Sequence, residues 1–540
     1  MAERTITDPG RGEHAAPLDK GLKVGALGLL SAVVIGVAST APGYSLAASL
    51  GLVTGSSGAQ APAIMWVAFI PMLLIAASYY YLNRADPDCG TTFTWATRAM
   101  GPTTGWIGGW GIIVADLVVM PSLAGISGIY VFLLFDANGL ADNKWWVLVA
   151  GLLFIFLMTL VCVIGIELNA RMQFFLLAAE IIVLFIFSVV ALYKVFSGDL
   201  AGGVEPSLEW LNPFALKNTT ALVDGLVIAI FLYWGWDTAV TVNEETRDPA
   251  KTPGRAAIIS TLVLVGTYVI VSIAAQSVRG PGFLTANSDD VLSATGNLVL
   301  GSPFDKLLII AVLSSAAASC QTTILPAARS ELSMAAHRAA PGWFGRISLK
   351  YLTPANATWF FGIVSMVWYA GLTIASENVL GASIAAVGLM IAFYYGLTGF
   401  ACVVYYRKYI FTSAKNFVFV GVAPLIGGLS LAYIFVKATS DFAKDTESYG
   451  ELFGIGLATV VGIGLLLLGI PLMLLWWARE PAFFRRGRDP HPRPGPDGTG
   501  PSAPPILGAG PIRDEDLDNV ASPTAGGPIS WREGGDEGGR

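Results

Sequence analysis

The sequence predicts an all-α polytopic membrane protein of 12 transmembrane helices. They are expected to form a five-plus-five inverted repeat with two further helices, and helices 1 and 6 are expected to be discontinuous. Three observations predict this. Only 13% of the 540 residues are charged and 54% are hydrophobic, with a mean hydropathy of +0.63; soluble globular chains carry roughly 25% charged residues. Twelve stretches hold the ~20 predominantly apolar residues that a bilayer crossing needs. They lie near 24–53, 63–82, 104–134, 145–166, 172–196, 222–243, 256–278, 304–326, 357–376, 382–405, 416–436 and 453–477. The first and the sixth are interrupted by residues that a plain membrane helix avoids.

The first interrupted stretch reads VVIGVASTAPGYSLAASLG over 33–51. Pro42 has no N–H, and its ring crowds the carbonyl of Ala38 four residues earlier. The second reads VIAIFLYWGWDTAVTVNEETRDPAKTPGR over 227–255. There Asp237 sits among aromatic residues, where hydrocarbon penalises a charge by at least about 2.5–3.5 kcal/mol. Irregular backbone at membrane depth is tolerated only where it is buried in protein or lines a water-filled cavity. Interrupted segments at matching places in two halves of a chain point to a solute-binding site. Unwound turns offer N–H and C=O groups that no helix uses, and half-helix ends add partial charge. Such a site can hold an ammonium and a carboxylate together, chemistry that suits amino acids and amines.

The connections set the sidedness. With both tails on one side, 21 lysines and arginines fall on that side, counting to Arg488, and seven on the other. The positive-inside rule then places both termini in the cytoplasm, with the chain in the cytoplasmic membrane. Residues 1–20 are polar with no small-residue cleavage site, and are expected to be a disordered cytoplasmic tail. Residues 21–479 form the membrane domain. Residues 480–540, rich in Pro and Gly with the acidic run Asp514-Glu515-Asp516, are too polar to fold alone and are expected to be a second disordered tail. Cys89, Cys162, Cys320 and Cys402 show no metal or redox spacing and read as packing residues. His14, His337 and His491 all fall in polar segments, which excludes a histidine proton relay inside the membrane.

Four stretches give the chain a family likeness. They are the small-residue break 39–44, the run Cys89-Gly90-Thr91-Thr92-Phe93-Thr94-Trp95 after span two, YWGWDTAVTVNEETRDPAKTPGRA over 233–256, and LPAARSELSMAAHRAAPGWFGRI over 325–347. In this order, among twelve spans, the sequence resembles the amino acid–polyamine–organocation permeases, of the bacterial amino acid permease type. The resemblance implies the inverted-repeat fold of the bacterial leucine transporter and alternating-access secondary transport. It also implies that Phe231 stands where relatives place an aromatic gate. Two departures stand out. Ala41-Pro42-Gly43 replaces the Gly-small-Gly turn with which many relatives wrap a substrate carboxylate. Glu180 replaces a span-five lysine that fills a sodium-like site in several proton-coupled relatives.

Three carboxyls lie at membrane depth. At ~1.5 Å per residue, Asp116 sits about 18 Å and Glu180 about 12 Å from the inner face, with Asp237 at the span-six break. Intramembrane acids are functional by default. Glu180 reads as the group that exchanges a coupling proton, or else as a permanently protonated helix–helix contact. Asp237 reads as an ammonium ligand or gate, or as an acid stabilising the turn through backbone N–H groups. Asp116 reads equally as ligand or as a structural bond to the span-one break. Ser39, Thr40, Ala41 and Gly43, together with Tyr233, Trp234 and Gly235, complete the expected substrate site. The aromatic members offer cation–π faces or simple packing. Ser314, Ser315 and Ser319 in span eight could ligate a proton-coupling group or Na⁺, although small residues also permit close helix packing. Glu244 and Glu245, beside Arg247, Lys251 and Arg255, form either an inner-gate salt-bridge network or a solvated rim.

These residues predict a proton-coupled importer of amino acids. The alternative within transport is a polyamine or amine importer or exchanger, and the alternative outside it is a non-transporting nutrient sensor. No cofactor or metal is expected, only a proton or Na⁺ as coupling ion; the partners are a small solute and the lipid bilayer, with no nucleic acid. An enzyme is not expected, because no phosphate loop, zinc helix or nucleophile–base constellation is present.

Overall fold

The computed structural model describes residues 20–288, 290–375, 379–447 and 450–485. It is almost entirely helical. Helix α1 (Leu29–Thr40) and α2 (Pro42–Ser57) are followed, across the 3-10 turn Gly58–Gln60, by α3 (Ala61–Ala85). The short α4 (Thr92–Met100) precedes α5 (Pro102–Leu134), and a single turn, α6 (Asn138–Ala141), leads to α7 (Lys144–Ile164) and α8 (Ile166–Phe196). Then come α9 (Thr219–Leu232), the one-turn α10 (Thr238–Thr241), α11 (Thr252–Ala286), α12 (Val291–Leu300) and α13 (Lys306–Ala336). The last third holds α14 (Ala355–Ala375), α15 (Val379–Tyr405), α16 (Ala414–Asn416), α17 (Ala423–Lys444), α18 (Leu457–Arg479) and α19 (Pro481–Phe484). A two-residue hairpin, β1 (Glu451–Leu452) with β2 (Ile455–Gly456), is the sheet among the described residues.

Ten helical runs are long and apolar enough to cross a membrane, and one of these, Leu29–Ala85, contains the first break and the turn into α3. The apolar α9 adds a shorter segment. Each of the twelve predicted stretches coincides with helix, so the polytopic all-α expectation holds. α1, α2, α9 and α10 sit at the centre, almost wholly buried, with α3, α5, α11, α13 and α15 packed around them. The outward faces of α7, α8, α17 and α18 carry exposed Leu, Ile, Val and Phe side chains, the surface a helix presents to lipid.

Three boundaries differ from the sequence reading. Lys20, assigned to a tail, is 7% exposed and ion-paired, and α19 packs Phe483 and Phe484 into the bundle. Long aliphatic stems and paired charges let such residues be buried where composition alone reads a polar end. The other expected tail residues, 1–19 and 486–540, lie outside the described residues. Span eight was expected to end at 326, yet α13 continues to Ala336 with Arg329, Glu331 and Ser333 buried. Hydropathy falls where those charges begin, whereas the helix goes on with Arg329 paired to Glu245 and Ser333 bonded to Asp88.

Candidate functional site

The span-one break is one residue wide. Ala41 takes a left-handed conformation (φ 47°, ψ 67°) between α1 and α2, and Pro42 opens α2 at the position where its missing N–H costs nothing. The first free N–H groups of α2 find partners on other helices. Gly43 N donates to Glu180 Oε1 (2.5 Å) and Tyr44 N to Ser315 Oγ (3.1 Å), while the Ser315 hydroxyl donates to the same Glu180 oxygen (2.9 Å). Ser45 N turns back to the Ala41 carbonyl (2.8 Å). On the α1 side, Ser319 Oγ donates to the Ser39 carbonyl (2.9 Å) and the Ser45 hydroxyl to that of Thr40 (2.6 Å). Glu180 Oε2 is buried with no hydrogen-bond partner.

The span-six break covers 233–237, between Leu232 and Thr238. Gly235 (φ 117°) is required there. A Cβ on it would stand 2.7 Å from both the carbonyl carbon and the oxygen of Ser39, so the two broken helices touch backbone to backbone at this point. Ser39 and Thr238 add a hydroxyl–hydroxyl bond of 2.8 Å across the same contact. Asp237 is buried, its two carboxylate oxygens accepting from Tyr395 (2.8 Å) and Tyr394 (3.1 Å) on α15. Trp234 Nε1 donates to the Tyr394 hydroxyl (2.5 Å). Trp236 packs edge-on against Tyr79 and tilted against Tyr395, its ring centroid 5.1 Å from each. Asp116 lies within electrostatic reach of Asp237 and of Glu331, and its Oδ2, like Glu331 Oε2, is buried and unpartnered.

The structure thus gathers Ser39, Ala41, Gly43, Glu180, Ser315, Gly235, Trp234, Asp237 and Asp116. Phe231 stands edge-on to Tyr44, with centroids 6.2 Å apart. It does not gather three others. Thr40 bonds the Val37 carbonyl of its own helix, Ser314 bonds the Ala311 carbonyl away from Glu180, and Tyr233 reaches the Met65 carbonyl on α3. Sequence reasoning missed Tyr394, Tyr395 and Glu331. Two adjacent tyrosines in an apolar span are a usable signal, because a buried Tyr hydroxyl seeks a partner.

One end of the bundle is sealed by buried charge, and the partners of Glu244 and Glu245 differ from both sequence readings. The two acids are not a solvated rim, and their partners are neither Arg247, Lys251 nor Arg255. Arg329 on α13 grips Glu245 through Nε (2.7 Å) and Nη2 (2.9 Å), and Lys20 pairs with Glu244 and with Asp88 (3.0 Å). Cys89 N donates to Glu244 Oε1 (2.9 Å), and Asp88 also accepts from Gly90 N (2.8 Å), Thr94 (3.0 Å) and Ser333 (2.6 Å). His337 Nε2 lies 3.2 Å from the Asp88 carboxylate. The segment before α1 joins this seal: Leu27 N donates to the Glu245 carbonyl, and the Leu27 carbonyl accepts from Arg247 N. Burial alone would push the Asp88 carboxyl up, but Lys20 and the bonds from His337 and Ser333 hold it well below its ordinary range. The Lys20 ammonium is raised against its own burial by Asp88 and Glu244, whereas burial pushes the His337 imidazole down. Asp88 therefore contributes stability above the ordinary carboxylate range and loses it only as pH falls through its depressed value. The Lys20–Asp88 pair stays charged at physiological pH. Asp88, Cys89 and Glu244 could geometrically share a metal ion, but the Lys20 ammonium already bonds both carboxylates.

The comparisons with known proteins follow the geometry. The family described as "Amino acid permease" matches residues 27–476. An uncharacterized transporter of Mycobacterium tuberculosis is 27% identical over 338 residues, 63% of this chain and 72% of that protein. The branched-chain amino acid permease BcaP of Bacillus subtilis is 24% identical, covering 63% of this chain and 73% of its own. The low-affinity putrescine importer PlaP of Escherichia coli is 25% identical over 237 residues, 44% of this chain and half of that protein. Among solved structures, MhsT in complex with L-phenylalanine superposes with a TM-score of 0.56 at 15% identity, over 79% of this chain and all of that one. That likeness shows the fold, the leucine-transporter-like arrangement that the family resemblance implied. The chain belongs to the amino acid permease family of the amino acid–polyamine–organocation superfamily, and is a multi-pass membrane transporter rather than an enzyme.

Proposed function

We propose that the protein is a proton-coupled secondary transporter that imports a small ammonium-bearing solute, of the amino acid or amine class, across the cytoplasmic membrane by alternating access. The observation that carries this reading is the meeting of the two breaks, Ser39 against Gly235, with Glu180 tying the first break to α8 and α13 through Gly43 and Ser315. The solute sits at the breaks, its ammonium facing Asp237 and Asp116. The charge seal made by Lys20, Asp88, Glu244, Glu245 and Arg329 is the cytoplasmic gate, closed in this conformation, with both termini on its side by the positive-inside count.

Glu180 carries the coupling proton on Oε2, the oxygen no donor occupies. While ionised, its charge-assisted bonds to Gly43 N–H and the Ser315 hydroxyl are worth about 1.5–3 kcal/mol each; protonation reduces each to about 0.5–1.5 kcal/mol. The proton thereby loosens α8 from α2 and α13, the helices that move relative to one another in alternating access. A proton suits the site better than Na⁺. Ser315 already accepts from Tyr44 N and donates to Glu180, and Glu180 Oε1 already accepts twice, so few lone pairs remain for a metal ion.

The test is accumulation in proteoliposomes of the full chain, with radiolabelled leucine and putrescine supplied under imposed pH and sodium gradients. Accumulation of either solute driven by an inward proton gradient and abolished by a protonophore is expected. Binding without accumulation under any gradient would make the protein a sensor and overturn the reading.

A further inference from the structure

We propose that the coupling proton leaves Glu180 toward the sealed end of the bundle along a file of water held between α8 and α13 by the buried amides Gln173, Gln321 and Asn169. The inference rests on the transport reading above and supplies the residues past which its proton departs. Helix periodicity, an oriented chain of amides and three orphaned polar atoms carry it.

Asn169, Gln173 and Glu180 share one face of α8, spaced four and then seven residues apart, a polar row about three turns long. Each is 1% exposed or less. On α13, Ser315, Ser319 and Thr322 follow one another at four and three residues and are buried as well. Ser315 bonds Glu180, and Gln321 bonds both Gln173 and Asn169, so the two polar rows face each other. A polar lining on both sides of a buried helix contact is costlier than an apolar one unless something polar occupies it.

The amides are bonded in one direction only. Gln173 Nε2 donates to the Ala318 carbonyl (3.0 Å) and to Gln321 Oε1 (2.7 Å), and Gln321 Nε2 donates to Asn169 Oδ1. A carbonyl can only accept, so the nitrogen of Gln173 must face Ala318, and the orientation of the other two follows. Both ends of the chain are left open. Gln173 Oε1, on the member nearer Glu180, is a buried acceptor without a partner, and Asn169 Nδ2 is a buried donor without one. The Cys162 thiol stands beside Asn169, but sulfur accepts weakly and its own proton goes to the Gln321 carbonyl (3.3 Å). Glu180 Oε2 is the third orphan of the row. Buried water characteristically satisfies such groups.

Along this file only Glu180 has to ionise. Its Oε2–H bond breaks, the proton passes to the first water, each water hands one proton on, and one emerges beyond Asn169. The Glu180 carboxylate stays behind with its bonds from Gly43 N and Ser315. The Gln173 carbonyl stabilises the excess positive charge on the water it holds. The row surfaces at the first turn of α8 beside Glu167, which is half-exposed and paired with Lys23 (2.9 Å). Two further titratable groups face the route. Tyr268 on α11 faces Glu180, and Arg329, neutralised by Glu245, lies near Cys162. This exit is separate from the seal of Lys20, Asp88 and Glu244, so proton and solute leave by different openings.

The experiment uses full-chain proteoliposomes and whichever solute, leucine or putrescine, the wild type accumulates. Gln173→Leu and Gln321→Met replace the amides by apolar side chains of similar size. Each should slow accumulation driven by an inward proton gradient about 10-fold or more, while counterflow without a gradient stays within about 3-fold of wild type. Gln173→Glu keeps an acceptor oxygen at the same length and should accumulate within about 3-fold of wild type; a glutamate variant as slow as the leucine one would contradict the proposal. Undiminished accumulation in either apolar variant would overturn it. So would accumulation, counterflow and melting temperature falling together, the mark of amides that only knit the helices. Hydroxyl-radical footprinting reads the water directly and needs no transport. In wild type, Cys162 should be oxidised and Cys402, buried on α15, should not; in Gln173→Leu, Cys162 should become as inert as Cys402. Wild-type Cys162 as inert as Cys402 would sink the file and leave the transport reading standing. Wild type that accumulates neither solute under any gradient would sink the transport reading and, with it, the use of the file by a proton.

Discussion

The break in span one is a single residue, and the chain closes it with its own groups; the break in span six is five residues wide and leans on its neighbours. At Ala41 each exposed N–H finds an acceptor on α8, α13 or the turn itself. At 233–237 the backbone is held by a glycine pressed against Ser39, and the carboxylate of Asp237 hangs from two tyrosines of a different helix. The contrast separates two tasks. The first break is wired to Glu180, which the proposed function makes the proton carrier. The second is wired to α15 and continues into Glu244 and Glu245, which the proposed function makes part of the gate, so on that reading it senses the solute.

The contrast can be broken at Gly235. Gly235→Ala forces a methyl against the Ser39 backbone, with about 1–3 kcal/mol of overpacking and about 1–2 kcal/mol for a side chain at positive φ. Transport should fall about 100-fold or more in a protein that still elutes as a single species; near-normal uptake would mean the breaks need not touch. The link to the gate is next. Lys20→Ala strips the cation from two buried carboxylates, a loss of about 3–5 kcal/mol for a broken buried pair. Cys89 reports the result, since its N–H bonds Glu244 and its thiol is buried. In a chain with the other three cysteines replaced by serine, alkylation of Cys89 should rise about 10-fold or more. Unchanged labelling would detach Lys20 from gating.

Smaller effects refine the second break. Tyr395→Phe removes one hydrogen bond to the Asp237 carboxylate, worth about 1.5–3 kcal/mol, so apparent solute affinity should drop about 10-fold or more with little change in the pH profile. A shifted pH profile with intact affinity would instead move the proton site to Asp237. The smallest expected change is at the first break. Ala41→Gly relieves a left-handed alanine and should stabilise the protein by about 1 kcal/mol in thermal unfolding. Uptake should stay within about 3-fold of wild type, since the N–H groups that matter belong to Gly43 and Tyr44.

Much of this architecture was legible in the sequence, and for identifiable reasons. Membrane helices announce themselves by length and hydropathy, and Pro42 and Asp237 mark the breaks because one lacks an N–H and the other is a charge that hydrocarbon penalises. Glu180 was legible because a carboxyl in an apolar span has few uses. What could not be read was partnership across the bundle. Nothing in the spacing of Tyr394 and Tyr395 says that they point at Asp237, and nothing local to Glu244 says that its counter-ion is Lys20, more than 200 residues away. Arg329 looked like a loop charge because hydropathy cannot distinguish a charge facing water from one facing a partner inside the protein.

The most direct test of the account separates proton coupling from solute movement at Glu180. Proteoliposomes of wild type and Glu180→Gln are compared for accumulation of radiolabelled solute (leucine or putrescine, whichever the wild type takes up) under an inward proton gradient and for counterflow of the same solute without one. Glutamine keeps an oxygen for the Gly43 N–H but binds no proton. The account predicts that gradient-driven accumulation disappears in the variant while counterflow persists within a few-fold of wild type. Undiminished, pH-dependent accumulation in Glu180→Gln would contradict it.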